Sequence, residues 1–293
     1  MASGNTKQVV LITGCAKGGI GHEYCYFFAE RGYQVFASDV QPLESMSSLL
    51  EHGIHVLQID VTSEESVREG VEAVMKQAGR IDVLINNAGI GLMAPLAEVP
   101  MAQVRRIFEV NVFGGLSLVQ AVVPHMVSAG GGRIINVSSM LGRIALPWIG
   151  PYCATKAAIF SLSDTLRVEL KPFNIDVITV TPASVRSNIY KVFASSLQHN
   201  NNNKKEWSLY KGFEAAMLKM AGTMGIPEST PAAVFAKKVV TVVTRKNPPI
   251  RYTGGHMTTS LTLLTWLPAW LLDIVKTRLY VFKRPVHNNN HGD

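Results

Sequence analysis

Four polar residues in one order along the chain suggest chemistry at an oxygen atom. Ser139 closes the run Asn136-Val-Ser-Ser139, and thirteen residues later comes Tyr152-Cys-Ala-Thr-Lys156, in a segment introduced by Gly150-Pro151. On a helix the i, i+4 spacing places Tyr152 and Lys156 on one face, a turn apart. A free phenol titrates near ~10 and is useless as a base at neutral pH. A neighbouring ammonium stabilises the phenolate and is expected to lower that value toward the working range. Ser139, at the carboxyl end of a strand, is placed to hydrogen-bond a substrate oxygen. Asn111 falls inside a helical stretch, Gln103–Val127, where asparagine is a poor interior residue; its presence hints at a local break holding a water. Singly, each has a bland reading: a packed tyrosine, a surface lysine, a helix-capping serine, a core asparagine. The set in this order is what carries the signal.

A second group suggests a dinucleotide. The run VVLITG leads into Gly14-Cys-Ala-Lys-Gly-Gly-Ile-Gly21 and then a helix, His22–Glu30. A glycine turn lets backbone N–H groups approach a pyrophosphate, and the helix N-terminus behind it favours negative charge. A plain strand-to-helix turn is the competing reading. Asp39 ends the second strand, where a carboxylate accepts from ribose hydroxyls and repels a 2′-phosphate, favouring NAD over NADP. Lys17, inside the loop, keeps NADP open because it can pair with that phosphate. Asp60, closing the third strand, fits an adenine amino group or a helix-capping turn. Asn86-Asn87-Ala88-Gly89 offers small residues and amides to pack a ribose and lock neighbouring strands.

These residues need a scaffold that brings strand ends together. Val9–Thr13, Val35–Ser38, His55–Ile59, Ile81–Ile85, Arg133–Val137 and Asp176–Val180 are continuous apolar runs, as expected of parallel strands buried on both faces. Helix-length segments lie between them; Ser63–Ala78 opens with Ser63 at its N-cap, Ser66 where Glu is usual, and Glu64 and Glu65 complementing the dipole. The alternation predicts an α/β fold: a doubly wound parallel sheet of Rossmann type with a helical C-terminal lid, in one domain over residues 1–256. An insertion of helices without strands is expected over about 188–231, with Asn200–Asn203 a loop tip. Ile250–Thr253 closes the sheet, Ala232–Thr244 is a helix, and 257–293 is an extension, first apolar, then basic, ending in HNNNHGD, expected to be disordered.

Composition narrows the classes. Of 293 residues, 47% are hydrophobic and 17% charged, which excludes a disordered chain. Cys15, Cys25 and Cys153 form neither a disulfide framework nor a zinc pattern, and no metal is expected. MASGNTKQVVLITG lacks a long apolar stretch, so secretion is not expected. Lys204–Arg284 holds 13 basic and 4 acidic residues, so the net charge of +7 belongs to the C-terminal third. The basic residues form no dense run with aromatics, which disfavours nucleic acid. An anionic lipid surface or a phosphate-bearing substrate fits better, with a solvated face the plain alternative.

TGCAKGGIG, Asp60, NNAG, Asn111, Ser139 and YCATK together resemble the extended-substrate branch of the short-chain dehydrogenase/reductase family, strongly over residues 7–190. The resemblance implies that Tyr152 exchanges the proton and that Lys156 tunes it while holding the nicotinamide ribose. It implies that Ser139 orients the carbonyl or alcohol and Asn111 supports a relay water. Pro182-Ala183-Ser184-Val185-Arg186-Ser187 corresponds to the family's post-strand-six segment, so Val185 and Ser187 contact the nicotinamide carboxamide. Two departures stand out. One extra loop residue makes Gly14, Gly19, Ile20 and Gly21, not Gly18, the phosphate-side residues, and Ala183 replaces a glycine. The loop, Lys171-Pro172-Phe173-Asn174 and the tail are also similar to fungal and plant NADPH-dependent 1-acyl-dihydroxyacetone-phosphate reductases of lipid droplets and the endoplasmic reticulum. There arginines follow strand two; here Asp39, Val40 and Gln41 do. The implied function is hydride transfer with a hydrophobic ketone or secondary alcohol, either a lipid or a terpenoid, polyketide or sterol intermediate. A nucleotide-binding or lipid-surface scaffold without catalysis is the alternative. A homo-oligomer is implied by the family. Thr258–Val275, interrupted by Pro268 and Asp273, reads as a lid, as a peripheral membrane contact through 258–284 at a cytoplasmic face, or as a marginal span.

Overall fold

The computed structural model describes residues 7–202, 207–223 and 226–281. Seven parallel strands form the central sheet: β1 Val9–Thr13, β2 Gln34–Asp39, β3 His55–Gln58, β4 Val83–Asn86, β5 Gly132–Val137, β6 Ile175–Pro182 and β7 Arg251–Gly254, in spatial order β3-β2-β1-β4-β5-β6-β7. The order reverses at β1, between β2 and β4. In such sheets ligands bind outside the carboxyl ends of the strands at that reversal. Each expected strand is present, with ends shifted by at most two residues. Val10, Leu11 and Ile12 are fully buried because helices cover both faces.

On one face lie α1 (Ile20–Glu30) and α7 (Ala232–Val243), with Phe28 and Phe235 packed on β1, β2 and β6. On the other lie α2 (Glu64–Ala78), the long α3 (Met101–Ser128) and α4 (Gly150–Glu169). The cap of α2 forms as expected, the Ser66 amide donating to Ser63 Oγ at 3.2 Å. Ser66 Oγ, however, accepts from the Asp60 amide rather than closing a capping box. α3 is the one described helix long and apolar enough to cross a membrane, but Leu118, Val119, Val122 and Met126 are in the core. At Glu109–Phe113 it widens into a π turn, the break that Asn111 signals.

Beyond β6 the structure departs from the sequence expectation in three places. The insertion is not purely helical: Val185–Arg186 pairs with Thr230–Pro231, tying its two ends together. Between them stand α5 (Ile189–Asn202) and α6 (Glu214–Thr223). Asn200–Asn202 belong to α5 rather than to a loop tip, carried by the apolar face that buries Phe193 and Leu197; Asn203 lies outside the described residues. Finally, Thr258–Val275 breaks at Pro268 as expected but not at Asp273, which lies inside the second of its two helices. It splits into α8 (Thr258–Leu264) and α9 (Ala269–Lys276), because Pro268 cannot continue the first and opens the second. The tail HNNNHGD, with Lys283 and Arg284, lies outside the described residues. At Ala183, where glycine was the family's residue, the amide donates to the Gly254 carbonyl at 2.7 Å, so the chain extends the sheet without a positive φ.

Candidate active site

One cavity of about 470 Å³ runs along the carboxyl ends of the strands. Gly14, Gly19, Ile20, Asp39, Asp60 and Asn87 line one end. Ser139, Tyr152, Lys156, Val185 and Ser187 line the middle. Past Tyr152 the wall turns apolar, with Leu146, Phe193, Met220 and Leu261.

The glycine loop is held by Asn87, whose Nδ2 donates to the carbonyls of Thr13 (2.9 Å) and Gly14 (3.1 Å). Gly14 has φ +70°, and a Cβ there would lie 2.8 Å from Ala88 Cα. Gly21 does not line the cavity. It packs beneath the loop, where a Cβ would overlap the Gly14 carbonyl oxygen. Lys17 is also outside: it is exposed, its amide donates to the Ser45 carbonyl and its own carbonyl accepts from Asn188 Nδ2 at 2.7 Å. Asn188 crosses the loop at Gly18 and ties it to the start of the insertion. Asp39 accepts from the Ala16 amide (2.8 Å) and the Gln41 amide (3.0 Å). Asp60 lines the cavity and caps a turn, accepting from the Thr62 amide and hydroxyl, the bonds that hold its carboxyl below the usual range. Bare backbone, a carboxylate at the end of β2 and a buried cation deeper in fit a nicotinamide dinucleotide.

The reacting groups sit at the junction of β5 and α4. Tyr152 and Lys156 are 7% and 4% exposed. Lys156 Nζ donates to the Val137 carbonyl at 3.0 Å and lies 5.6 Å from the centre of the Tyr152 ring. Ser138 Oγ donates to the Lys156 carbonyl at 2.8 Å, welding strand end to helix. Burial lowers the Lys156 ammonium to about 8. The phenol moves the other way from the expectation: desolvation raises Tyr152, and the hydrogen bond with Ser139 only partly opposes it. Both shifts have one cause, since burial penalises whichever form is charged.

Asn111 lies behind this pair rather than in the main cavity. Its Nδ2 donates to the Ile90 carbonyl (3.0 Å) and Thr155 Oγ1 (3.1 Å), and its Oδ1 accepts from the Ile90 amide (2.8 Å). Only Gly89 separates it from the ammonium: a Cβ there would sit 3.3 Å from Asn111 Oδ1 and 3.5 Å from Lys156 Nζ. Sequence reasoning missed Arg106, which lines the adenosine end and donates to Thr62 Oγ1 at 3.0 Å. It also missed Trp148, whose place four residues before Tyr152 was the available signal.

The short chain dehydrogenase family model matches residues 8–197. The chain belongs to this family. The short-chain dehydrogenase ptmH of Penicillium ochrochloron is 32% identical to it over 275 residues, 93% of this chain and 98% of that protein. The NADPH-dependent 1-acyldihydroxyacetone phosphate reductase of Schizosaccharomyces pombe is 36% identical over 184 residues, 62% of each. A crystal structure of a short-chain dehydrogenase from Streptomyces avermitilis superposes with a TM-score of 0.74 at 25% identity, covering 94% of this chain and 95% of that one. As a short-chain dehydrogenase the protein is an NAD(P)-dependent oxidoreductase acting on CH–OH groups.

The buried ammonium makes this dehydrogenase's stability depend on pH. Its folded value, about 8, lies below that of a free lysine. Between the two, the unfolded chain binds the extra proton, so stability rises with pH. The unfolding free energy of wild type minus that of Lys156→Met is expected to climb from about pH 8 to about pH 10 and to be level below. Urea titrations at each pH check this, and a flat difference would show that the ammonium is solvated.

Proposed function

We propose that the protein is an NAD-preferring oxidoreductase that moves a hydride between a nicotinamide and a hydrophobic ketone or secondary alcohol. The observation that carries the reading is the position of Tyr152, between the polar and apolar ends of one cavity and beside Ser139 and Lys156. A bound nicotinamide supplies or takes the hydride at carbon. In oxidation, with Tyr152 as the phenolate, the carbinol carbon gives up a hydride to the nicotinamide as its hydroxyl proton passes to Tyr152 Oη; in reduction, the phenol so formed returns the proton to the substrate oxygen. Ser139 Oγ steadies charge developing on the substrate oxygen. The ammonium of Lys156 offsets negative charge on Tyr152 Oη. The apolar wall beyond Tyr152 orients the reacting carbon by burying the rest of the substrate. An extended acyl chain, as in the substrate named for the S. pombe relative, and an apolar polyketide or terpenoid ketone both meet that requirement.

NAD is favoured by Asp39 on the cavity wall and by Lys17 outside it. The outer face of the C-terminal segment supports peripheral contact with an anionic lipid surface. Trp266 and Trp270, on either side of the Pro268 break, are 77% and 66% exposed, and the exposed Arg278 follows, while Lys276 is paired with Asp273 at 3.6 Å. Apolar rings with a cation nearby match a lipid interface better than another copy of a chain whose net charge is already +7.

Three outcomes follow. Tyr152→Phe lowers kcat by about a thousandfold or more, while NADH fluorescence titration shows binding retained; full turnover would remove the mechanism. Asp39→Ser narrows a wild-type preference for NAD over NADP of about tenfold or more in kcat/KM; a wild-type enzyme that prefers NADP would overturn the coenzyme reading. Replacing Trp266 and Trp270 together with Ser weakens sedimentation with phosphatidylserine-containing vesicles by about tenfold. Unchanged sedimentation, or a wild type that ignores vesicles and dimerises through this face, would exclude lipid contact.

A further inference from the structure

The chain after β7 turns back over the apolar end of the cavity. Met257 and Leu261 form part of its wall, and so does Tyr280, on the far side of the Pro268 break. These residues lie outside the stretch matched by the family model. One side chain at the entry of the catalytic helix ties this segment to the rest of the fold. Trp148 Nε1–H donates to the Tyr280 carbonyl at 3.1 Å. The same indole meets Tyr210 edge-on at 5.6 Å and Phe213 at 5.7 Å between ring centres. Its own carbonyl accepts from the Ala94 amide at 2.7 Å. Trp148 therefore joins the catalytic helix, the insertion and the C-terminal segment.

The backbone shows that this arrangement is imposed. Trp148 has φ +66° and Met257 has φ +62°. A bulky residue in the left-handed region is strained and persists only where the surroundings over-determine it. Among the described residues the third non-glycine case is Asn174, a residue type that tolerates this region. So strain sits at both ends of the contact between the C-terminal segment and the cavity: at the latch, and at the hinge where α8 begins.

We propose that Met257–Val281 is a substrate lid latched by Trp148, and that it makes the site select ketones or alcohols carrying a long apolar group. The selection rests on the hydride-transfer reading; the latch rests on geometry alone. Leu261 and Met257 supply apolar wall well beyond the reacting hydroxyls, so a short substrate leaves that wall unused and a long one buries it. Each buried methylene adds to the binding of the longer substrate. Trp148 touches none of the reacting groups described above; it is a positioning residue.

Trp148→Phe keeps ring packing and removes the N–H donor. Hydrogen exchange across Met257–Val281 is expected to quicken about fivefold, and the ratio of KM for 2-dodecanol to KM for 2-butanol to rise by a similar factor. Leu261→Trp fills the wall without touching the latch; it raises the same ratio while exchange stays as in wild type, and it serves if the first variant does not fold. Unchanged exchange in Trp148→Phe overturns the latch. A KM ratio unmoved in both variants overturns the selection. If neither alcohol nor the matching ketones react with either coenzyme, the hydride-transfer reading and the selection fall together, and exchange still decides the latch.

Discussion

A buried ammonium beside a buried phenol is the constraint around which this molecule is arranged. Desolvation pushes Lys156 down to about 8 and Tyr152 up. Left to burial alone, the pair would favour its neutral forms. The fold keeps the ammonium charged near neutrality by giving it the Val137 carbonyl and the face of the Tyr152 ring. It fixes the lysine by hydrogen-bonding its backbone to Ser138 and by requiring glycine at position 142, where a Cβ would lie 2.6 Å from the Lys156 carbonyl carbon. A phenol held protonated in this way does not ionise spontaneously. In that state it can give its proton to the oxygen of a ketone gaining a hydride; taking one from an alcohol needs the phenolate, whose charge the Lys156 ammonium offsets.

The parallel sheet is what brings these groups together. Side chains from the ends of β1, β2, β4, β5 and β6 meet at one edge because every strand points the same way. Asn86 Nδ2 donates to Asn136 Oδ1 at 2.9 Å, and Asn136 Nδ2 to Ser163 Oγ at 2.9 Å, so β4, β5 and α4 share one buried polar line just beneath the reacting groups. Such a network fixes the relative height of strand ends, and it leaves one buried acceptor, Asn86 Oδ1, without a hydrogen-bond partner. A shift of one residue in register would move Ser139 away from Tyr152.

Much of this was legible in the sequence because it rests on local rules. Continuous Val/Ile runs, the Ser63 cap, the Gly150-Pro151 entry and the i, i+4 spacing each act within a few residues. Asn111 was legible for the opposite reason: it violates helix propensity, and the π turn is where that violation is accommodated. What failed depends on distant neighbours. The Tyr152 shift reverses because desolvation by the whole fold outweighs one adjacent charge. Lys17 lies in the right loop, but Ser45 and Asn188 fix its backbone so that the side chain is exposed. The Asn200–Asn202 run looked like a loop by composition, yet Phe193 and Leu197 anchor the helix that carries it. Trp148 offered only its place before Tyr152 as a signal, since its partners Tyr210, Phe213 and Tyr280 come from two other segments.

The cavity has two chemically distinct ends, and the chain encodes them differently. The polar end is built from strand termini and a glycine turn, within the first hundred residues, where backbone geometry sets the site. Little there tolerates change: a side chain at Gly14 would strike the Ala88 backbone, and one at Gly21 the loop's own Gly14 carbonyl. The apolar end is assembled from the insertion and from the segment after β7, where Met220, Phe193, Met257 and Leu261 line the wall. Packing of flexible apolar side chains can be redrawn by substitution without moving the strands. Tyr152 stands at the boundary, so the chemistry is fixed by the rigid end and the choice of substrate by the adaptable one.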